Sequence, residues 1–398
     1  VIPALRRRFN EAFNRDLYES YQERLAAECG FPIAFRLAET PVFLPPVLRD
    51  EMVQSALEIW AELSTPANLE RSKAAVPPEW DVPGSEPLPR FAQADFAVVR
   101  EGGRLAPRLI ELQAFPSLYG FQVFQSRIQR EFTPDGAGLE FLLSGLDDES
   151  YVRDVGRAIL ADVPPENVVL MDIDPPRQKT AVDFSCSRKL WGVRAVDPRE
   201  LVKRGRELWY DRDGTPTRVL RIYNRVILEE LAGSGLELPF DIRELDVTWA
   251  GHPNWYFRWS KHSLPALTHS TAPEARLLSD VAVAEILDDL GSWVLKPLFS
   301  FAGTGVKVDI TRADIDAIPA ERRGDWLLMR KVEYAPVIET TDGGASKVEV
   351  RIMFIWKDGK PFPVTTLARL SQGKMMGVAF NKDRTWVGSA GSLWPKGS

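Results

Sequence analysis

Apolar residues recur at intervals of three and four through residues 1–72, in RRRFNEAFNRDLYESYQERLAAE and again in LRDEMVQSALEIWAELS. That spacing predicts amphipathic helices. TPVFLPP separates the two runs, because proline removes a backbone donor and cannot continue a helix. Residues 74–90 hold five prolines and predict a loop. Beyond it the period changes to two. FAQADFAVVR and RLIELQ read as strands, with EGGR between them as a hairpin turn. SLYGFQVFQSRIQREF returns to helical spacing.

Residues 150–240 predict an alternating α/β module: helix in ESYVRDVGRAILAD, strand in NVVLMDID, helix in KTAVDFSCSRKLWG, strand and turn in GVRAVDPREL. ELWYDRDGTPTRVLRIYNRV adds two β-like runs around a DRDGT turn. Residues 265–290 predict helix again. The last hundred residues are β-rich, in SWVLKPLF, GVKVDI, WLLMRKVEY, VEVRIMFIW and FPVTTLARL, with WKDGKP as one of the turns. No internal repeat is visible.

At 398 residues the chain exceeds one ordinary core, and two or three domains are expected. The net charge of -6 gives no general basic footprint for nucleic acid, while leaving room for a local basic pocket. Cys29 and Cys186 form no CxxC, and with three histidines in the chain a Cys/His zinc site is not expected. The basic neighbours of Cys186 in DFSCSRK would favour its thiolate, but a buried inert thiol is the favoured reading. No apolar run approaches the roughly 20 residues of a membrane span, and no signal peptide is visible. The expectation is a cytoplasmic protein without membrane or nucleic-acid partners.

Four segments could carry chemistry. In WVLKPLFSFAGTGVKVDI a strand delivers Lys296, and Gly303 and Gly305 then flank Thr304 before a second strand. Small residues let backbone N–H groups close over phosphate oxygens, and a lysine supplies a point charge. This layout fits a flap over a nucleotide triphosphate, or a plain hairpin with a GTG turn. It is neither a Walker A loop nor a Rossmann fingerprint, because no G-K-[ST] and no helix follow the glycines. In the second segment, Asp95, Glu111 and Gln113 fall on adjacent strands if the EGGR hairpin forms. Carboxylates with an amide oxygen suit Mg2+, and a solvated sheet face is the alternative. The apolar neighbours of Glu111 weigh against the solvated face, since a buried charge must be paired or bound. In LRIYNRV, Arg221, Tyr223 and Arg225 alternate and would share a strand face suited to a carboxylate or phosphate. HPNWYFRWSKHSLPAL places His252, aromatic residues and Lys261 just before a helix start, where a nearby anion would compensate the lysine.

Taken in order, these segments resemble the circularly permuted ATP-grasp ligases, the group of glutathionylspermidine synthetase and eukaryotic-type glutathione synthetase. QADF and IELQAFPSLYG hold the places of that family's R-x-D and E-x-N strands, SKHSLPAL that of its S-N-K-like helix start, and VLKPLFSFAGTGV that of its KP strand and flap. The resemblance runs from about residue 90 to the C-terminus. It implies a two-lobed, circularly permuted ATP-grasp fold of the α/β (α+β) class with an inserted α/β substrate module. The corresponding units are residues 1–150, 151–245 and 246–398. It further implies ATP phosphates on Lys261 and Lys296, a flap at Gly303, Thr304 and Gly305, and an adenine hinge at Lys331, Val332 and Glu333. Mg2+ would sit on Asp95, Glu111 and Gln113. Arg351 and Arg369 would stabilise the transferred phosphoryl group, and Arg221, Tyr223 and Arg225 would serve the acceptor substrate. Three positions depart from the family pattern: Gln113 replaces asparagine, Gln93 replaces arginine, and FSFAGTG lacks a glutamate, for which Glu349 is the substitute at hand.

The activity implied is ATP-dependent amide formation between a small-molecule or peptide acid and an amine, through an acylphosphate. A nucleotide-binding relative without turnover and a small-molecule kinase are the other readings.

Overall fold

The computed structural model describes residues 1–398 apart from 229–230, 232–236, 283–284, 301–302, 377–380 and 382. Its centre is an antiparallel sheet in the order Gly388–Ala390, Lys360–Ser371, Ala345–Lys357, Phe91–Glu101, Arg104–Gln113, with Pro336–Glu339 paired to Ala345–Lys357. The expected hairpin is present. Gly102 and Gly103 both take positive φ, 54° and 83°, which the turn requires and glycine accepts without steric cost. Register sets Asp95 opposite Glu111 and Gln93 opposite Gln113, and on the other side Asp95 opposite Arg351.

The period of two divides this sheet into faces. Ala92, Ala94, Phe96 and Val98, with Val348, Val350, Ile352 and Phe354, enter one apolar core. Helix Pro46–Leu63 closes that face with Met52, Ala56, Ile59 and Trp60. The intervening residues Gln93, Asp95, Glu349 and Arg351 are therefore carried together on the other face.

A three-stranded sheet, Ala275–Leu277, Trp326–Arg330 and Trp293–Pro297, forms a smaller layer. Trp293, Leu295 and Leu328 fill its own core, so Lys296 falls on the opposite side. The α/β module is a parallel sheet in the order Thr248–Ala250, Arg221–Asn224, Val168–Met171, Arg194–Val196. Helices Asp148–Leu160 and Ala181–Trp191 pack with it, and Glu207–Arg212 and Thr215–Val219 form the expected hairpin beside it.

Two expectations are corrected. Residues 265–290 form short 3-10 turns and the strand Ala275–Leu277 where they are described; Pro265 and Pro273 interrupt the apolar spacing that reads as helix. The second flap strand, GVKVDI, is reduced to one antiparallel bridge in which Lys307 and Leu295 exchange backbone hydrogen bonds of 2.9 Å. No helix among the described residues is long and apolar enough to cross a membrane.

Candidate active site

The polar face of the central sheet, the Lys296 strand and the α/β module together line a cavity of about 900 Å³. Lys261, Lys296, Gly303, Thr304, Lys331, Val332, Glu333, Glu111, Gln113, Arg351, Arg369 and Arg225 all line it.

Lys261 is set by aromatic packing. Trp259, two residues earlier, stacks on Trp60 at 5.2 Å between ring centroids and accepts a hydrogen bond from the Ala114 N–H of the hairpin. The lysine emerges at a 3-10 turn capped by Ser260, and its Nζ donates to the Ser300 and Leu298 carbonyls at 2.9 and 3.2 Å. Glu111 Oε1 is 3.6 Å away. Lys296 reaches in from the smaller sheet. Its Nζ donates to the Ile110 carbonyl at 3.2 Å and meets Met329 Sδ at the same distance. Burial lowers the Lys296 pKa and Lys261 adds to the effect, opposed by Glu111, Glu349 and Asp95. The ammonium's direct partners are a carbonyl and a thioether, its carboxylates act from longer range, and a phosphate oxygen would supply a contact anion. The loop beyond it turns on Gly303 and Gly305, with φ of 78° and 74°. A Cβ on Gly305 would lie 2.8 Å from Pro297. Phe301 and Ala302 of the expected flap lie outside the described residues.

Beneath the cavity runs a fixed ionic network. Arg351 grips Asp95 with two hydrogen bonds of 2.5 and 2.7 Å, and Arg369 reaches both Asp95 and Glu349. Tyr334 donates to Glu349 at 2.6 Å. Burial would raise the Asp95 pKa, but the two guanidinium groups outweigh it and hold the carboxyl below its usual range. Both Asp95 oxygens are therefore occupied by arginines, and Asp95 is not part of the cavity wall. Asp95, expected as a metal ligand, stands in this structure as a buried anion that positions two cations.

Gln93 and Gln113 extend the network. Arg351 can only donate, so its Nη1 contact at 2.8 Å identifies the Gln93 atom as oxygen. Gln93 Nε2 then donates to the Ser117 carbonyl at 3.0 Å. Gln113 meets the same Gln93 oxygen at 2.6 Å and must present its NH2 group there. The Gln113 carbonyl oxygen is thereby turned away from Gln93 and stays available.

Among the described residues, no group of three or more His, Cys, Asp or Glu side chains is placed to hold a metal ion. The donors fit a divalent cation only where substrate phosphates complete its shell: the Glu111 carboxylate and the Gln113 amide oxygen line the cavity, as does Glu349, whose two oxygens accept from Arg369 and Tyr334.

The predicted acceptor residues separate. Arg225 lines the cavity and is ion-paired with Asp183, which also accepts from the Leu118, Gly120 and Phe121 N–H groups. Arg221 donates instead to the Ile159 and Ala158 carbonyls, at 2.7 and 3.2 Å, closing the end of helix Asp148–Leu160. Tyr223 is buried against Phe91. Substrate contact by Arg221 and Tyr223 is corrected to support of the module. His252 is likewise structural: it is buried, contacts the Pro83 carbonyl, and its pKa is lowered by burial to about 4. Cys29 and Cys186 are buried free thiols, and the contact with Cys29, together with burial, raises the Cys186 pKa. Sequence reading missed Asp183 and Tyr334 as site-forming residues, and named Gln93 only as a departure from the family pattern. The alternation of Gln93 with Asp95 was a usable signal for that residue.

No family model matches the sequence, and no curated protein matches it. Among solved structures, the chain is similar to a glutathione synthetase-like effector from Globodera pallida in its apo form. The two share 13% identity over 96% of each chain, with a TM-score of 0.59. The fold is ATP-grasp-like. At this identity the likeness speaks to the fold alone, and the chemistry rests on the chain's own cavity.

Proposed function

We propose that the protein is an ATP-dependent carboxylate–amine ligase on a circularly permuted ATP-grasp frame. The observation that carries this reading is the convergence of Lys261, Lys296, Arg351 and Arg369 with Glu111 and Glu349 on one cavity. Such a set suits a polyphosphate, and about 900 Å³ admits a nucleotide with a second molecule beside it. Lys261 and Lys296 hold ATP phosphates under the turn at Gly303, Thr304 and Gly305, with adenine against Lys331, Val332 and Glu333. Glu111, Gln113 and Glu349 would hold Mg2+, which would supply charge neutralisation on the phosphates. Arg351 and Arg369, held by Asp95, face the transferred phosphoryl group. Their positions are set before substrate arrives, so little reorganisation opposes charge development.

In the reaction, a carboxylate oxygen of the acid attacks the γ-phosphorus, the bond to ADP breaks, and an acylphosphate forms. The amine nitrogen then attacks the carbonyl carbon. A C–N bond replaces the C–O bond, phosphate leaves, and the amine proton passes to phosphate or solvent. The protein's contribution is positioning and electrostatics, with no covalent nucleophile required.

The test is ADP release from ATP and Mg2+ with a panel of acids, with and without amines. Release that needs both substrates supports the ligase. Release without amine, giving a stable phosphorylated acid, means a kinase. One observation favours binding without turnover: each of Asp95, Glu111 and Glu349 already has a cationic partner within the protein. The similar solved structure is also described as an effector. Mg2+-dependent ATP binding with no ADP release under any pairing is the outcome that reading expects.

A further inference from the structure

The far end of the cavity, against the α/β module, has a different chemistry from the phosphate end. Leu118, Phe35 and Ile227 present half-buried apolar surface there, next to Arg225 and Lys179. Leu118 adopts φ 66° and ψ 17°, the left-handed region that leucine rarely enters. The conformation is fixed from several sides. The Leu118 N–H donates to Asp183 at 3.1 Å, its carbonyl accepts from the Gln122 N–H at 2.9 Å, and Asp183 also accepts from the Gly120 and Phe121 N–H groups in the first turn of helix Tyr119–Glu131. Leu118 and Phe35 pack on one side against the core and Ile227 against the core of the module, and all three also line the cavity, so the strained Leu118 backbone holds a bulky apolar side chain at the cavity wall.

Resting on the ligase reading, we propose that the acid substrate carries an apolar side group. Leu118, Phe35 and Ile227 seat that group, while the carboxylate extends toward Arg351 and Arg369. Leu118 sets the specificity. The chemistry is a wall that rewards apolar surface and leaves a polar group of the same shape unpaired.

The test compares N-acetyl-leucine with N-acetyl-asparagine, whose side chains match in length and branching but not polarity. Each is titrated calorimetrically into the protein with ADP and Mg2+, and again without nucleotide. The wild type is expected to bind N-acetyl-leucine at least about tenfold more tightly. Leu118→Asn should reverse or remove that preference. Because asparagine tolerates the left-handed region, this variant should melt at or above the wild-type temperature, so lost binding is not lost folding. Equal affinity for the two acids, binding of neither, or an unchanged preference in Leu118→Asn overturns the proposal. A parallel titration with an ATP analogue separates the two readings. If the analogue binds and the acids are not discriminated, the apolar seat falls and the nucleotide site stands. If the acids are discriminated and the analogue does not bind, the reverse holds.

Discussion

Replacing Lys296 by methionine should make the protein more stable and a poorer nucleotide binder at once. Lys296 is 9% exposed, and its ammonium donates to one carbonyl at 3.2 Å and otherwise meets a thioether. Its pKa is lowered chiefly by burial. A lysine whose folded pKa is depressed takes up fewer protons than the unfolded chain at pH values between the two pKa values. Stability therefore rises with pH through that window up to about 10.4, and at neutral pH the charge is a net cost. Methionine has nearly the same length, keeps its packing on Met329, and removes the desolvated charge. Exchanging poorly compensated buried charge for apolar packing typically gains on the order of 1 to 4 kcal/mol. The long hydrogen bond to the Ile110 carbonyl is given up in the exchange, which points to the lower half, about 1–2 kcal/mol. Against this, a charge-assisted hydrogen bond to phosphate is worth about 1.5–3 kcal/mol, or roughly 10- to 150-fold in Kd. Paired urea denaturation and calorimetric titration with an ATP analogue and Mg2+ measure both quantities. A Lys296→Met protein that is less stable yet binds the analogue as tightly as wild type would refute the reasoning, because the lysine would then be a structural group.

Further tests address the surrounding charges. Asp95→Asn should lose about 3 kcal/mol, the lower end for breaking a buried pair, because Arg369 keeps Glu349 and Arg351 keeps Gln93; urea denaturation reads it. Glu111→Gln should leave the urea midpoint unchanged within error, since its side chain is 32% exposed and its cation is 3.6 Å away. The same change should raise the Mg2+ concentration needed for half-maximal thermal stabilisation by ATP. His252 is buried neutral, with its pKa lowered from 6.5 to about 4. The unfolded chain then binds the extra proton first, so stability falls between pH 6.5 and pH 4 by about 3 kcal/mol at roughly 1.4 kcal/mol per pKa unit. His252→Gln should reduce the pH 7 to pH 4 stability difference by that amount, as followed by denaturation at the two pH values.

The hairpin at 91–113 and the Lys296 strand were legible because period, turn glycines and strand-forming residues are local signals that agree. Among the residues that line the cavity, Lys261, Lys296, Glu111, Gln113, Arg225, Arg351 and Arg369 were also singled out by their sequence motifs. What Asp95 touches was not legible. Its partners Arg351 and Arg369 lie 256 and 274 positions away and arrive only through the pairing of Phe91–Glu101 with Ala345–Lys357 and of that strand with Lys360–Ser371. Oxygen-bearing side chains on one strand face look alike in sequence whether they meet a metal or a guanidinium. Arg221 and Arg225 make the same point. Their alternation is visible, but the helix end that captures Arg221 is set by packing of the module. At 265–290 the apolar spacing pointed to helix, and the prolines in that stretch carried more weight than the period.

The most direct test of the central claim is calorimetric titration of the wild-type protein with a non-hydrolysable ATP analogue, with and without Mg2+. If Lys261, Lys296, Arg351 and Arg369 form a nucleotide site completed by Glu111 and Glu349, the analogue binds saturably at one site per chain, and more tightly with Mg2+. Absence of saturable binding in both conditions would contradict it.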